Sequence, residues 1–375
     1  MAFDCYCAIC GVGFAGMRIG TPSDATAERR QQYVQSILRS LDGARYKTPS
    51  DEEPIHSYDP RLVDSDSIAW TSNVHCLGLH EVEGKTKAFV SGPGYYSDAG
   101  EMAVKLGNRI QRTYFSCYGF GTDTSPGPVV PFHWPCFEIL LRSLTGSTDI
   151  KSVNLDVLYD AMMSLCNQAG SALRLNYGED VAQAQGQHWR CFPGVEYTVH
   201  HPTNTPNLTS FLKSQVQLNK SLHVSLSPSK STSKAGIDLG TRELKNPFST
   251  LPAELIYQIA SFLPGDSLKN LIQASPYIYL LTRDDYFWRR FIESDMPWLW
   301  EGDVLRKSKA SMQLESTSDE TLDIELDHKQ VYIWLNAITN PSYGMENTEL
   351  MGIANRRRIW GACEDVVKDY QALCQ

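Results

Sequence analysis

No apolar run in these 375 residues approaches the ~18 needed to cross a bilayer. The opening Met1-Ala2-Phe3-Asp4-Cys5 also lacks the basic start and apolar middle of a secretory leader. Both absences argue against membrane insertion and export, so the expectation is a soluble protein of the cytoplasm or nucleus. Positive charge is not in excess either. With 34 Lys and Arg against 43 Asp and Glu, the formal net charge is −9, which gives no clustered field to hold nucleic acid or an anionic membrane. Internal repeats of propeller or leucine-rich type are missing as well. The one dense basic run, Arg356-Arg357-Arg358, reads as the solvated turn of an amphipathic helix whose apolar positions are Ile359, Cys363, Val366, Val367 and Tyr370.

What is present suits a folded chain. Hydrophobic residues make up 42%, with 18 Tyr and 8 Trp, and the length predicts two or three units. In a reducing compartment the 10 cysteines are expected to be buried thiols or metal ligands rather than disulfides. Without secretion, the glycosylation-like triplets at Asn207 and Asn219 carry no weight.

The fold class expected is α+β. Residues 1–201 alternate strand-like and helix-like runs and read as an N-terminal mixed α/β domain. Val74 to Leu79, Ala88 to Val90 and Thr113 to Tyr118 are its candidate strands. Leu155, Leu158, Tyr159, Met162 and Leu165 fall on one face of a helix expected to cover that sheet. Residues 202–246 are rich in Ser, Thr and Lys and too poor in apolar side chains to order, which predicts a flexible linker. An all-α segment follows over 247–295, then a C-terminal helical region over 296–375. In that region 311–325 is polar and acidic, while Val331, Trp334, Leu335 and Ile338 mark a short helix.

Two pairs carry metal-ligand chemistry. Cys7-Ala8-Ile9-Cys10-Gly11 is a C-x-x-C knuckle, where a tight turn lets two thiolates reach one ion. His133-Trp134-Pro135-Cys136 puts two more ligands at the start of an apolar helical run. Together they resemble a treble-clef layout and predict one structural zinc on Cys7, Cys10, His133 and Cys136, with Cys5 as an alternate ligand. Buried core thiols are the competing reading.

Enzyme readings are weaker. Gly11-Val12-Gly13-Phe14-Ala15-Gly16 fits G-x-G-x-x-G, but Gly20, Thr21 and Pro22 interrupt the helix a dinucleotide would need. A thiol hydrolase built from Cys136 or Cys191 with His133, His200 or His201 has no local signature. No catalysis is expected.

From Leu251 onward the pattern is four short helices. Leu251, Leu255, Ile259 and Leu263 recur every fourth residue behind Pro252, and Pro264-Gly265 ends that helix. Asp266 or Ser267, then Ser275-Pro276, then Asp284 or Asp285 supply the later starts. Leu251-Pro252-x-Glu254-Leu255, Phe262-Leu263-Pro264, Leu268, Leu271, Ala274-Ser275 and Phe287-Trp288-Arg289-Arg290 together resemble the F-box. At Ser275-Pro276-Tyr277 the chain departs from the basic residue F-boxes more often place after the serine. Including Phe132 to Leu140 and Asn355 to Trp360, nearly the whole chain resembles a mostly uncharacterised family of fungal F-box domain proteins.

That resemblance implies an adaptor. Leu251, Pro252, Leu255, Ile259, Leu263, Leu268 and Leu271 would bind a Skp-type subunit, and through it a cullin-RING (SCF) ubiquitin ligase. The N-terminal domain would grip an unknown substrate protein. The alternatives are a ligase-independent scaffold holding a Skp-type subunit and, more remotely, a metal-dependent enzyme.

Overall fold

The protein is described by a computed structural model over residues 4–41, 56–98, 100–107, 111–119, 127–166, 171–206, 247–302 and 328–375, with a few isolated positions between 206 and 215. Its contacts divide the chain into two compact units, one joining residues 1–205 to 339–375 and the other spanning 206–338. The C-terminal region expected over 296–375 is therefore split. Its last helix belongs with the N-terminal domain because it buries most of one face there. The acidic stretch 311–325, nearly all of the expected linker, and Asn207 and Asn219 lie outside the described residues.

In the first unit, β1 (His75–Val82), β2 (Lys85–Val90) and β6 (Val130–Phe132) form an antiparallel sheet in the order β2-β1-β6. β3 (Gly94–Asp98), β4 (Glu101–Lys105) and β5 (Arg112–Ser116) form a second. Glu83 and Gly84 both take positive φ, 51° and 73°, the geometry of a two-residue turn whose twist matches its strands. α1 (Asp24–Leu41) and the short α2 (Ser65–Ile68) precede the sheets.

Helices cover the first sheet. α3 (Trp134–Thr145) leaves β6 directly and ends at Gly146 with φ +75°, the left-handed stop that glycine adopts without strain. α4 (Leu155–Ser164), capped by the Asn154 side chain, buries Leu158, Tyr159 and Met162 and lies against β2 and β6. α5 (Glu179–Ala184) is a single short turn of helix. After the intervening unit in sequence, α11 (Thr348–Leu373) packs on α3 and α4 and buries Met351, Ile353, Ile359, Cys363 and Val366.

The arginine run overturns its sequence reading. Arg356 is fully buried and Arg358 nearly so. Their guanidinium donors are used on backbone oxygens: Arg356 Nε bonds the Pro202 carbonyl at 2.7 Å, and Arg358 Nη1 bonds those of Cys10 and Tyr177. A buried cation is tolerated when its donors are satisfied.

The second unit is helical. α6 (Ala253–Ser261), α7 (Gly265–Ala274), α8 (Pro276–Leu281) and α9 (Asp285–Asp295) bury Ile256, Ala260, Leu268, Ile278, Phe287, Trp288, Phe291 and Ile292. Ser275 caps α8 by accepting from Ile278 N, and Asp284 caps α9 by accepting from Tyr286 N. α7 starts at Gly265 with Pro264 at the N-cap position, two residues before Asp266 and three before Ser267, the predicted caps. The Tyr332 hydroxyl of α10 (His328–Ile338) occupies the place a side chain at Gly265 would need. α10 closes the aromatic core, with Tyr332 5.4 Å from Trp288 and 5.1 Å from Phe291.

Candidate metal centre and docking face

The C-x-x-C knuckle is closed by its own backbone. Cys7 N bonds Val12 O at 2.9 Å and Gly11 N bonds Cys7 O at 2.8 Å. Gly11 has φ +74°, and Tyr177 lies where a side chain there would project. The knuckle is then laid beside β6, since Ala8 N bonds Pro131 O at 2.9 Å. Two residues on, His133 is the N-cap of α3 and Cys136 lies in its first turn. This bond is what brings ligands from two distant segments to one point.

Sγ of Cys7, Cys10 and Cys136 and a ring nitrogen of His133 all lie within 4.8 Å of one another, and all four residues are buried. His133 Nε2 donates to Thr71 O at 2.8 Å, so Nδ1, 3.4 Å from Cys10 Sγ, is the free ligand atom. A carbonyl on the far nitrogen fixes tautomer and ring plane, as in known metal sites. Phe14 and Trp70 hold the ring from two sides, at 4.6 and 4.9 Å between centroids.

The four groups strongly perturb one another. Burial works against a charged Cys7, yet hydrogen bonds from Cys10 and Cys136 and the His133 charge hold its thiol well below the ordinary range. Burial also opposes a charged His133, but the charges of Cys7 and Cys10 pull it up to about 10. Burial pushes Cys136 well up. Thiolates so enclosed are costly without a compensating cation, and three thiolates with one imidazole are a donor set that a tetrahedral ion accepts. The four residues can hold a metal. Cys5 neighbours Cys117 and Cys76 instead, whose thiols burial holds protonated.

Three of the knuckle's carbonyls are capped from elsewhere in the unit, which no local motif announces. Tyr177 Oη donates to Ala8 O, Gln185 Nε2 to Gly11 O and Arg358 Nη1 to Cys10 O, at 2.9, 2.8 and 2.7 Å.

The residues of the hydrolase reading are placed otherwise. His133 and Cys136 meet within the metal cluster. Cys191 Sγ accepts from Arg18 N, His200 Nε2 bonds Leu62 O, and His201 Nδ1 accepts from Thr203 N and Asn204 N.

In the helical unit, α6 has two apolar faces. Ile256 and Ala260 point into the core. Leu255, Ile259 and Phe262 are 46%, 42% and 79% exposed and recur at i, i+4 and i+7, which sets them on one stripe. Leu251, Leu263 and Leu271 are half-buried and Pro252 is exposed. Leu268, also among the expected adaptor contacts, is 1% exposed and enclosed by the unit's own core. Phe262 was missing from the predicted contacts, although Phe262-Leu263-Pro264 had marked the motif.

Residues 248–294 match the F-box-like family. The chain thus carries an F-box-like domain, and α10 lies beyond the matched segment. No curated protein and no solved structure matches the chain, so the wider fungal resemblance has no relative behind it. Among the described residues no helix is long and apolar enough to cross a membrane.

Proposed function

We propose that this protein is a non-catalytic F-box adaptor that binds a Skp-type subunit through the exposed stripe of α6 and recruits a target protein to an SCF-type cullin-RING ligase in the cytoplasm or nucleus. The observation that carries this reading is the stripe itself, lying inside the F-box-like segment. Three large apolar side chains stay in water on a helix whose opposite face is already packed, and such a patch favours a partner. Leu251, Pro252, Leu263 and Leu271 border the contact. The first unit, aromatic-rich and large enough to offer the ~1,600 Å² of a specific interface, takes the target.

The cluster of Cys7, Cys10, His133 and Cys136 is read as a structural zinc site. Zinc would supply cross-linking and no reaction, because all four positions of a tetrahedral ion are filled by protein.

The test is titration of a purified Skp-type subunit against wild type and a Leu255→Asp, Phe262→Asp double variant. At least a thirtyfold loss of affinity with unchanged circular dichroism is expected. Equal affinity in the folded variant, or no binding by wild type, defeats the reading. Recovery of cullin with the subunit from cells separates a ligase adaptor from a ligase-independent scaffold.

A further inference from the structure

A cleft of about 550 Å³ opens on the first unit, a volume within the usual range for ligand sites. Its walls include Tyr197 and Tyr343, its rim carries Glu179, Asp180 and Glu364, and the backbone of α11 at Gly361 lines it. The walls are fixed. Tyr343 Oη donates to Pro193 O at 2.8 Å with its ring against Gly194, and Tyr197 Oη donates to Asp180 Oδ2 at 2.7 Å.

Gly361 is the informative residue. A glycine inside a helix costs about 1 kcal/mol relative to alanine, and such a glycine usually has a packing reason. Among the described residues no atom lies within 4 Å of where its Cβ would be. Their packing does not call for it. What the missing side chain does is leave the helix backbone open to the cleft, the arrangement used where a ligand approaches closely.

Charge sets the ligand's chemistry. Five charged residues line the cleft: Glu179, Asp180, Glu364, Arg357 and Arg358. Arg358 is committed inward to Cys10, Tyr177 and Asn355, and Arg357 bonds Thr339 Oγ1. The carboxylates outnumber the cations. Burial raises both Asp180 and Glu364 from their ordinary values, although the Tyr197 hydrogen bond and the Arg358 charge work the other way on Asp180.

We propose that this cleft reads the recruited target by taking an arginine or lysine side chain of an extended segment, with the cationic head among Asp180, Glu179 and Glu364 and the stem against the half-buried Tyr343 ring. A guanidinium or ammonium gains from both carboxylates and aromatic faces. The assignment rests on the target-recruiting reading above.

The test uses the full chain and two blocked tripeptides, acetyl-Gly-Arg-Gly-amide and acetyl-Gly-Gln-Gly-amide, titrated by NMR. Saturable binding of the arginine peptide, at least tenfold tighter than the glutamine peptide, is expected. Gly361→Leu should fill the cleft and weaken the arginine peptide at least tenfold, while its melting temperature holds or rises because a helix-weakening glycine is gone. Asp180→Asn should weaken it as well. Equal binding of the two peptides, or undiminished binding by Gly361→Leu, overturns the proposal. Adaptor titration on the same samples keeps the two readings apart, since Gly361→Leu should bind the Skp-type subunit as wild type does.

Discussion

Arg358 and Cys10, 348 positions apart, are joined by a 2.7 Å hydrogen bond from the guanidinium Nη1 to the knuckle carbonyl. The same nitrogen reaches Tyr177 O at 3.0 Å, and Asn355 Oδ1 holds Nη2 at 2.8 Å. Replacing Arg358 by Ala leaves two buried carbonyls unsatisfied, each costing about 1–3 kcal/mol. Stability of the first unit should fall by ~3 kcal/mol or more in urea titration. Lys at this position cannot fork to three acceptors and should restore little of the loss.

Elemental analysis of protein purified without chelator should give one zinc per chain. Cys7→Ser and Cys136→Ser should each lose it. Structural zinc contributes on the order of 10 kcal/mol of folding free energy in small sites, so strong chelation should unfold the first unit, seen as loss of near-ultraviolet dichroism.

Leu268 and Phe262 offer a paired contrast, one enclosed and the other 79% exposed. Leu268→Ala should cost ~2–5 kcal/mol of stability through the cavity it leaves. Phe262→Ala should change stability by less than about 0.5 kcal/mol yet weaken the Skp-type subunit at least tenfold. Denaturant titration and calorimetry on both variants measure the two effects separately.

Glu196 predicts a pH dependence. Its carboxylate accepts Asp59 N and Gly194 N at 2.9 and 2.7 Å, and burial raises it to about 7 from an ordinary value of 4.5. Between those values the folded state holds a proton the unfolded state has released. The stabilising contribution is full below about pH 4.5 and is lost as pH rises through about 7. Glu196→Gln cannot titrate. Wild type should therefore lose stability relative to the variant between pH 5 and 7.5, on the order of 3 kcal/mol. A flat difference across that range would show the site does not titrate as described.

The parts of this fold legible in sequence are those written locally. C-x-x-C, H-x-x-C, the Ser275-Pro276 start and the strands around Leu77 and Phe89 are each set by neighbours a few residues away. The buried arginines were not legible, because charged runs normally stay solvated and the partners that enclose them are carbonyls, which any residue supplies. Nor could the pattern tell Leu268 from Phe262. Both occupy apolar positions of one motif, and only the packing of α6 to α10 decides which faces inward.

The first unit is interrupted: its early strands and its closing helix α11 flank everything that forms the F-box-like unit. During synthesis the ribosome therefore makes the whole sequence of the F-box-like unit before it makes Arg358. The knuckle around Cys7 and Cys10 must wait, incompletely buttressed, while some 130 residues of another unit are translated, at roughly 5–20 residues per second. A nonsense truncation within α11 should therefore leave the F-box-like unit whole in sequence while the first unit lacks its closing helix and the Arg358 bond to the knuckle.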